Sequence, residues 1–177
     1  MNLKNSLREH RFDLFLNKLT NFIMIDGKKT KACIIVFNTL VVLKKKIRKD
    51  LVDKNQNFWI INQTNFQDNY INSVMLRIIL QAIENLTPNL EVRKVRVSGS
   101  TYLVPAVLAK KKQETLALKW LIEAAKKRQK NARFDFSTCL AEEILDASRK
   151  LGQARQKRDE LHRLAQLNRA FIRYRWW

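Results

Sequence analysis

Residues 91–107 read EVRKVRVSGSTYLVPAV, and no other part of the sequence gives as strong a β-strand signal. β-Branched and aromatic residues dominate both halves, and the Ser-Gly-Ser sequence at 98–100 is typical of a turn, so the stretch predicts a β-hairpin. We place all three turn residues in the loop, with Gly99 supplying the positive φ, and this sets Arg96 opposite Tyr102.

The hairpin is unusually basic. Strand alternation places Lys94 and Arg96 on one face and Arg93 on the other, beside the valines. Pro105 cannot donate a ladder hydrogen bond, which predicts that the returning strand is an edge and the hairpin an isolated arm. Since an isolated two-stranded ribbon is only marginally stable in water, we expect something outside the fold to hold it.

Clusters of lysine and arginine follow the hairpin and continue into a helical run that begins near Glu114. Their members are Lys110, Lys111, Lys112, Lys126, Lys127, Arg128, Lys130 and Arg133. A single cluster can be a solvated helix face. Three clusters around a basic ribbon favour the interpretation that they neutralise a phosphate backbone.

The composition indicates one globular domain with a polyanionic partner. The 177 residues are 46% hydrophobic, so the chain can bury a substantial core. Its 35 Lys+Arg and 16 Asp+Glu give a formal charge of +19, which would cause strong self-repulsion in isolation. Nucleic acid is the expected partner, and an anionic membrane surface is the alternative.

Apolar residues recur at helical spacing through most of the chain and predict about six helices. The predicted fold class is therefore mainly α, a single helical domain with a protruding two-stranded β-hairpin arm. Residues 1–11 are predicted to form a basic arm that orders only on a partner. The Asn-rich segment 53–69 is predicted to be a surface loop, and the third helix is placed at about 70–86.

Lysines stand at the start of the second predicted helix. Lys28, Lys29 and Lys31 oppose the helix macrodipole there, at a cost of a few tenths of a kcal/mol each. Such an unfavourable placement of charge is expected where the residues bind a partner molecule.

The C-terminal third predicts two more helices. Ser137 is the expected N-cap of the first, Leu151 belongs to its inner face, and Gly152 ends it. The second, at about 154–171, is expected to turn Arg155, Lys157 and Arg158 outward. The closing RYRWW segment can stack on bases or cap the core with an Arg–Trp contact, and we favour the cap.

Catalytic, metal and cofactor sites are not predicted. The three glycines are assigned to two helix ends and one hairpin tip, which leaves none for a phosphate-cradling loop. Cys33 and Cys139 are expected to be buried thiols, and neither histidine has ligand-like spacing to them. Glu142 and Glu143 are expected to face solvent. No transmembrane span, signal peptide or presequence is expected.

The chain resembles the small-subunit ribosomal protein seven family from about Leu14 to its end. The matching motifs are Asp26-Gly27-Lys28-Lys29, the run Glu91-Val92 to Gly99-Ser100-Thr101-Tyr102 with Val104-Pro105, Ala124-Ala125-Lys126-Lys127-Arg128, Leu140-Ala141-Glu142-Glu143, Asp146-Ala147, Gly152 with Ala154, Lys157-Arg158, His162, Ala165, Asn168, Ala170-Phe171 and Arg175-Trp176. The double tryptophan and the Asn-rich bias indicate an organellar member, mitochondrial rather than plastid or bacterial.

The resemblance implies a structural protein of the small ribosomal subunit in the mitochondrial matrix. Members bind the 3′ major domain of small-subunit rRNA, help to start assembly of the subunit head beside other ribosomal proteins, and reach exit-site tRNA and messenger with the hairpin. The implied rRNA-contacting residues are Lys28, Lys29, Lys31, Arg93, Lys94, Arg96, Tyr102, Lys110, Lys111, Lys112, Lys126, Lys127, Arg128, Lys130, Arg155, Lys157 and Arg158. A free nucleic-acid-binding regulator and a histone-like protein are the alternatives.

Overall fold

Six α-helices and one β-hairpin make up the described part of the protein. The computed structural model describes residues 3–54 and 64–177. The elements are α1 (Leu3–Ile23), α2 (Lys29–Lys54), α3 (Thr64–Leu86), β1 (Leu90–Val97), β2 (Ser100–Val107), α4 (Lys110–Ala132), α5 (Phe136–Ser148) and α6 (Gln153–Leu167), followed by a terminal 3-10 helix (Arg169–Tyr174). The predicted fold class is confirmed. None of these helices is both long and apolar enough to cross a bilayer.

Helix α5 lies at the centre of the domain because it is apolar on nearly every side. Its buried apolar side chains are Cys139, Leu140, Ala141, Ile144, Leu145 and Ala147. It packs against α2, α3 and α4, and the inner faces of these helices join α1 in one hydrophobic core. The apolar stripes predicted from helical spacing supply that core, with Leu19, Leu43, Ile79 and Ala125 almost completely buried.

Three helices are longer than predicted. Residues 3–11, predicted as a separate arm, continue α1 because their Leu, Lys, Arg and Glu residues are good helix formers. The backbone of α2 and α3 is also helical at both ends of the predicted loop 53–69. The remainder of that predicted loop, residues 55–63, lies outside the described residues.

Three side-chain predictions in the helices are wrong. Ser137 is the second residue of α5 and is buried, while Asp135 holds the N-cap position without a side-chain cap bond. Leu151 is 60% exposed, because α5 ends at Ser148 and Lys150 takes a left-handed φ of 62° that turns the chain away. Cys33 is exposed, whereas the prediction that Cys139 is buried is confirmed.

The hairpin turn has two residues, not the three predicted. Val97 pairs with Ser100, so Tyr102 lies opposite Val95, not opposite Arg96. Ser98 and Gly99 both have positive φ, 49° and 84°. This is the pattern of a type I′ turn, whose twist matches that of the flanking strands. The prediction failed because it allowed only the glycine a left-handed conformation.

The hairpin is also not isolated. The side chains of Val95, Val104 and Ala106 share one face and are buried, and the hairpin packs against α6 and the terminal 3-10 helix. The ring of Tyr102 lies 5.0 Å from that of Phe171 and 4.9 Å from that of Tyr174, between centroids. The protein's own C-terminal elements therefore support the arm that was predicted to need an external partner.

Candidate nucleic-acid interface

A row of lysines runs along the exposed face of α4. Lys112, Lys119, Lys126 and Lys130 are spaced by seven, seven and four residues, which places them on one side of the helix, and all four are exposed. The row spans 18 residues, about 27 Å at 1.5 Å per residue. We call these four residues the α4 lysine row. Lys119 was missed from the sequence because it stands outside any run of cations, but the seven-residue spacing would have identified it.

The N-terminus of α4 adds positive charge at one end of this row. Lys110 and Lys111 are exposed in the first turn, which contains no acidic residue, and Ala109 offers no side-chain cap. Cations at this end oppose the helix dipole, whereas an anion there is favoured by free N–H groups and dipole together. The turn lies at the base of the hairpin, where Leu108 N–H donates to the Asn89 carbonyl oxygen at 3.2 Å.

The cations on the two faces of the hairpin have different surroundings. Lys94 and Arg96 are exposed on the outer face, without a carboxylate partner among the described residues. Arg93 lies on the inner face, where it pairs with Glu91 and sits 5.1 Å from the centre of the Trp177 ring. The predicted cap, an Arg–Trp contact of the closing segment on the helical core, is therefore wrong: Trp177 contacts an arginine of the hairpin. The outer face is the one left available to an anion.

The start of α2 carries a third group of exposed cations. Lys28, Lys29 and Lys31 are all exposed, and Lys127 is similarly exposed on α4. Within residues 3–54 and 64–177, the carboxylate that pairs with this group is that of Asp26, 3.7 Å from Lys28. Both partners face solvent, and such pairs contribute little to stability.

Arg128, by contrast, is turned into the protein. Its side chain is only 25% exposed and contacts three carboxylates of α5: Glu143 at 2.8 Å, Asp146 at 2.5 Å and Glu142 at 3.3 Å. Lys46 of α2 pairs with Glu142 from the other side. The four residues around Arg128 therefore link α2, α4 and α5, and we call this set, with Arg128, the Arg128 network.

Glu143 is the buried centre of that network, contrary to the prediction that it faces solvent. It is 0% exposed, and its Oε1 accepts a hydrogen bond from the backbone N–H of Ala154 at 3.0 Å, in the first turn of α6. Gly152 makes room for it: a Cβ there would lie 2.8 Å from Oε1, and its φ is +89°. The carboxylate thus neutralises Arg128 and caps α6 at once.

The network changes the acidity of its members. Burial alone would lower the pKa of Arg128, but the hydrogen bond to Asp146 and the charges of Glu143 and Asp146 raise it. The hydrogen bond from Lys46 lowers the pKa of Glu142, against the opposing effect of burial. Both residues are therefore fixed in their charged forms around neutral pH.

The cations of α6 are also engaged within the protein, and the prediction that they face away is wrong. Arg155 donates to the Asn85 carbonyl oxygen at 2.7 Å and pairs with Asp159. Lys157 pairs with Glu123 of α4 at 2.7 Å. Arg158 is only 18% exposed, and burial together with the charge of Arg155 lowers its pKa. Arg155 and Lys157 thus fasten α6 to α3 and α4, whereas the partner of Arg158, Asp159, lies on α6 itself.

His162 lies beside these arginines at the base of the hairpin. The backbone N–H of Asn89 points to its Nε2 at 3.4 Å, which requires that this nitrogen be unprotonated. Burial and the charge of Arg158 lower the pKa of His162 from its ordinary value of 6.5, with a smaller opposing contribution from Asp159.

We therefore expect acid to destabilise the fold through His162. The unfolded chain binds the proton more readily, so this contribution to stability is present above pH 6.5 and is lost as the pH falls below it. The melting temperature should decrease as the pH is lowered from about 7.5 to about 5.5. The melting temperature of His162→Gln should decrease less over the same range. Thermal denaturation of both proteins across this pH range tests the prediction. If the melting temperatures of the two proteins changed in parallel with pH, His162 would not be the cause of the acid destabilisation.

The structure thus divides the predicted contact residues into two sets. The first set is exposed and, apart from the solvent-facing pair of Lys28 with Asp26, has no carboxylate partner among the described residues; its members are Lys28, Lys29, Lys31, Lys94, Arg96, Lys110, Lys111, Lys112, Lys126, Lys127 and Lys130. Those that have partners within the protein are Arg93, Tyr102, Arg128, Arg155, Lys157 and Arg158. The first set extends over the hairpin, both ends of α4 and the start of α2, as a surface for a large polyanion requires.

Comparison with known proteins shows which family the chain belongs to. The family described as ribosomal protein S7p/S5e matches residues 3–169. Small ribosomal subunit protein uS7m of Prototheca wickerhamii is 40% identical, with 91% of this chain and 88% of that protein covered. The uS7m of Arabidopsis thaliana is 37% identical (93% and 94% covered), and the bacterial uS7 of a Sulfurihydrogenibium strain is also 37% identical (93% and 88% covered). The chain belongs to the ribosomal protein S7p/S5e family.

Proposed function

We propose that this protein is a structural constituent of the small subunit of the mitochondrial ribosome and binds the 3′ major domain of small-subunit rRNA. The observation that carries the proposal is the α4 lysine row, which continues at one end into the lysines at the hairpin base. The names of the mitochondrial relatives support the location. No catalytic role is assigned to any residue.

The proposed rRNA contacts are the exposed cations. The α4 lysine row, Lys110, Lys111, Lys127 and the lysines at the start of α2 neutralise phosphates, while Lys94 and Arg96 act from the outer face of the hairpin. Neutralisation releases condensed counterions, so affinity should depend steeply on salt. Because base edges in A-form helices are poorly accessible, selectivity comes from the shape of the junctioned RNA that fits these surfaces together.

The position of the hairpin supports a further part of the proposal. Its tip is exposed, as are Lys94 and Arg96 on its outer face, so it can reach beyond the helical body to exit-site tRNA and messenger, while the body organises head assembly with neighbouring ribosomal proteins. Arg93 and Tyr102 contribute indirectly to this proposed contact, because they hold the inner face of the hairpin against the C-terminal segment.

A binding experiment tests the rRNA assignment. The full chain is titrated against a transcript of the 3′ major domain and against a transcript of the same length and composition whose junctions are disrupted. We expect at least about tenfold tighter binding to the native transcript at physiological salt, or roughly 1.4 kcal/mol. Equal affinities would reject shape recognition and favour the histone-like alternative.

The hairpin offers a prediction that separates binding from folding. Arg96→Ala should weaken RNA binding and leave the melting temperature nearly unchanged, because its side chain is exposed. Tyr102→Ala should lower stability by about 1–3 kcal/mol, because it removes the ring between Phe171 and Tyr174. Thermal denaturation and RNA titration of both variants make the comparison. A destabilised Arg96→Ala protein with an unchanged Tyr102→Ala protein would reverse the two assignments.

A further inference from the structure

The outer face of α2 carries large apolar side chains that the core does not use. Ile34, Phe37 and Val41 are 59%, 66% and 37% exposed. They are separated by three and four residues, so they form one contiguous stripe on the helix. We call these three residues the α2 stripe.

The stripe is additional to the face that holds α2 in the domain. Ala32, Val36, Leu43 and Ile47 point to the other side and are buried in the core. A surface helix of a monomeric protein normally has one apolar face and one polar face. A second apolar face with an aromatic centre, which no described residue covers, is typical of an interaction site.

The charged residues of α2 are of one sign from residue 29 to residue 49. Residues 29–49 contain no Asp or Glu. Lys45 and Lys49 follow the stripe one to two turns further along and are exposed. From Ile34 to Lys49 the helix extends about 22 Å. An occupant complementary to this face has apolar side chains along its first part and carboxylates along its second.

This pattern favours a protein helix over RNA or a second copy. Phosphates could match the lysines, but RNA has no aliphatic surface for Ile34 and Val41, and a base could stack only on Phe37. An antiparallel pair of α2 helices centred on Phe37 would bring Lys45 opposite Lys29 of the other copy, and like charges in contact oppose association.

We propose that the α2 stripe docks an amphipathic helix of a neighbouring protein, with apolar residues at helical spacing followed by an acidic turn. Phe37 is its central anchor, Ile34 and Val41 flank it, and Lys45 and Lys49 fix the direction of the incoming helix. Aromatic anchors surrounded by aliphatic side chains carry most of the affinity in helix-in-groove recognition. Lys31, one of the cations proposed to contact rRNA, lies three residues before Ile34, so the docked helix would begin beside the proposed RNA contacts.

Fluorescence anisotropy with designed peptides tests the proposal. The full chain, bound to the 3′ major domain transcript, is titrated with a labelled 20-residue helical peptide that has Leu at i, i+3, i+7 and Glu in the following turn. A peptide of identical composition, scrambled to remove the apolar face, controls for general attraction of acidic chains. We expect the amphipathic peptide to bind at least about tenfold more tightly.

Variants decide whether binding occurs at the stripe. Phe37→Ser should remove this tenfold preference, whereas Phe134→Ser, which alters another exposed phenylalanine, should keep it. Loss of the preference with an unchanged circular dichroism spectrum supports the site. The proposal is overturned if scrambled and amphipathic peptides bind equally, if Phe37→Ser has no effect, if the transcript excludes the peptide, or if sedimentation shows that the chain pairs with itself through this face.

Discussion

Replacing Arg128 with methionine is expected to lower the free energy of unfolding by about 3 kcal/mol. This value is the lower end of the range of stability losses seen when one partner of a buried ion pair is removed. The variant would leave Glu143 fully buried with its charge uncompensated, because Arg128 is the cation in contact with it. Arg128 itself is one-quarter exposed, so part of its effect is screened, which is why the lower figure applies. Chemical denaturation measures the loss, and the melting temperature should fall by roughly 6–12 °C.

Two further variants identify the cause. Lys127→Met removes the adjacent, exposed cation and should change stability by less than about 0.5 kcal/mol. Adding Glu143→Gln to Arg128→Met should restore part of the stability, since the amide oxygen can still accept from Ala154 while the buried charge is gone. If Arg128→Met were as stable as Lys127→Met, Arg128 would be a surface cation and the network would have no structural role.

Helical spacing was sufficient to predict the core of this protein. Leu19, Leu43, Ile79 and Ala125 each belong to a stripe visible in the sequence, and each is buried. The hydrophobic effect depends on which side of a helix is apolar, and that is encoded locally. The predicted class, helices with one hairpin, followed from the same periodicities.

The turn length and the helix ends were harder to predict from the sequence, because the competing local conformations differ only slightly in free energy. A two-residue and a three-residue turn both fit the sequence between Val97 and Thr101, and the choice depends on Ser98 accepting a positive φ. The ends of α1 and α3 depend on side chains whose helix propensities differ by only tenths of a kcal/mol. Leu151 was misplaced for the same reason, since one left-handed residue redirects it.

Cations of the candidate interface could be predicted from the sequence only where the side chain has no partner on another helix. Lys110–Lys112 and Lys94 stand exposed, as a run of cations suggests. Arg128 was assigned to RNA by the same reasoning and Arg155 by the family resemblance, but their partners come from α5 and α3, which the sequence alone does not bring near them. Lys119 was overlooked for the opposite reason, because its neighbours in the lysine row are seven residues away.

The largest effect on binding is expected from the α4 lysine row. Changing Lys112, Lys119 and Lys126 together to glutamine should reduce affinity for the 3′ major domain transcript by roughly 10²- to 10³-fold near 0.1 M salt. The estimate assumes three lost phosphate contacts, each contributing about 0.9 to the slope of log K against log salt. That slope should become shallower by about 2–3. Stability should not fall, because removing Lys112 relieves repulsion at the N-terminus of α4.

A matched variant separates contact from total charge. Lys45→Gln, Lys49→Gln and Lys150→Gln together also lower the net charge from +19 by three, and they lie outside the proposed interface. Filter binding from about 50 to 300 mM salt should show only a small, uniform loss for this control, since distant charges are screened over about 10 Å. If both triple variants lost affinity and slope equally, the rRNA would respond to the overall charge of the protein, and the lysine row would not be its contact surface.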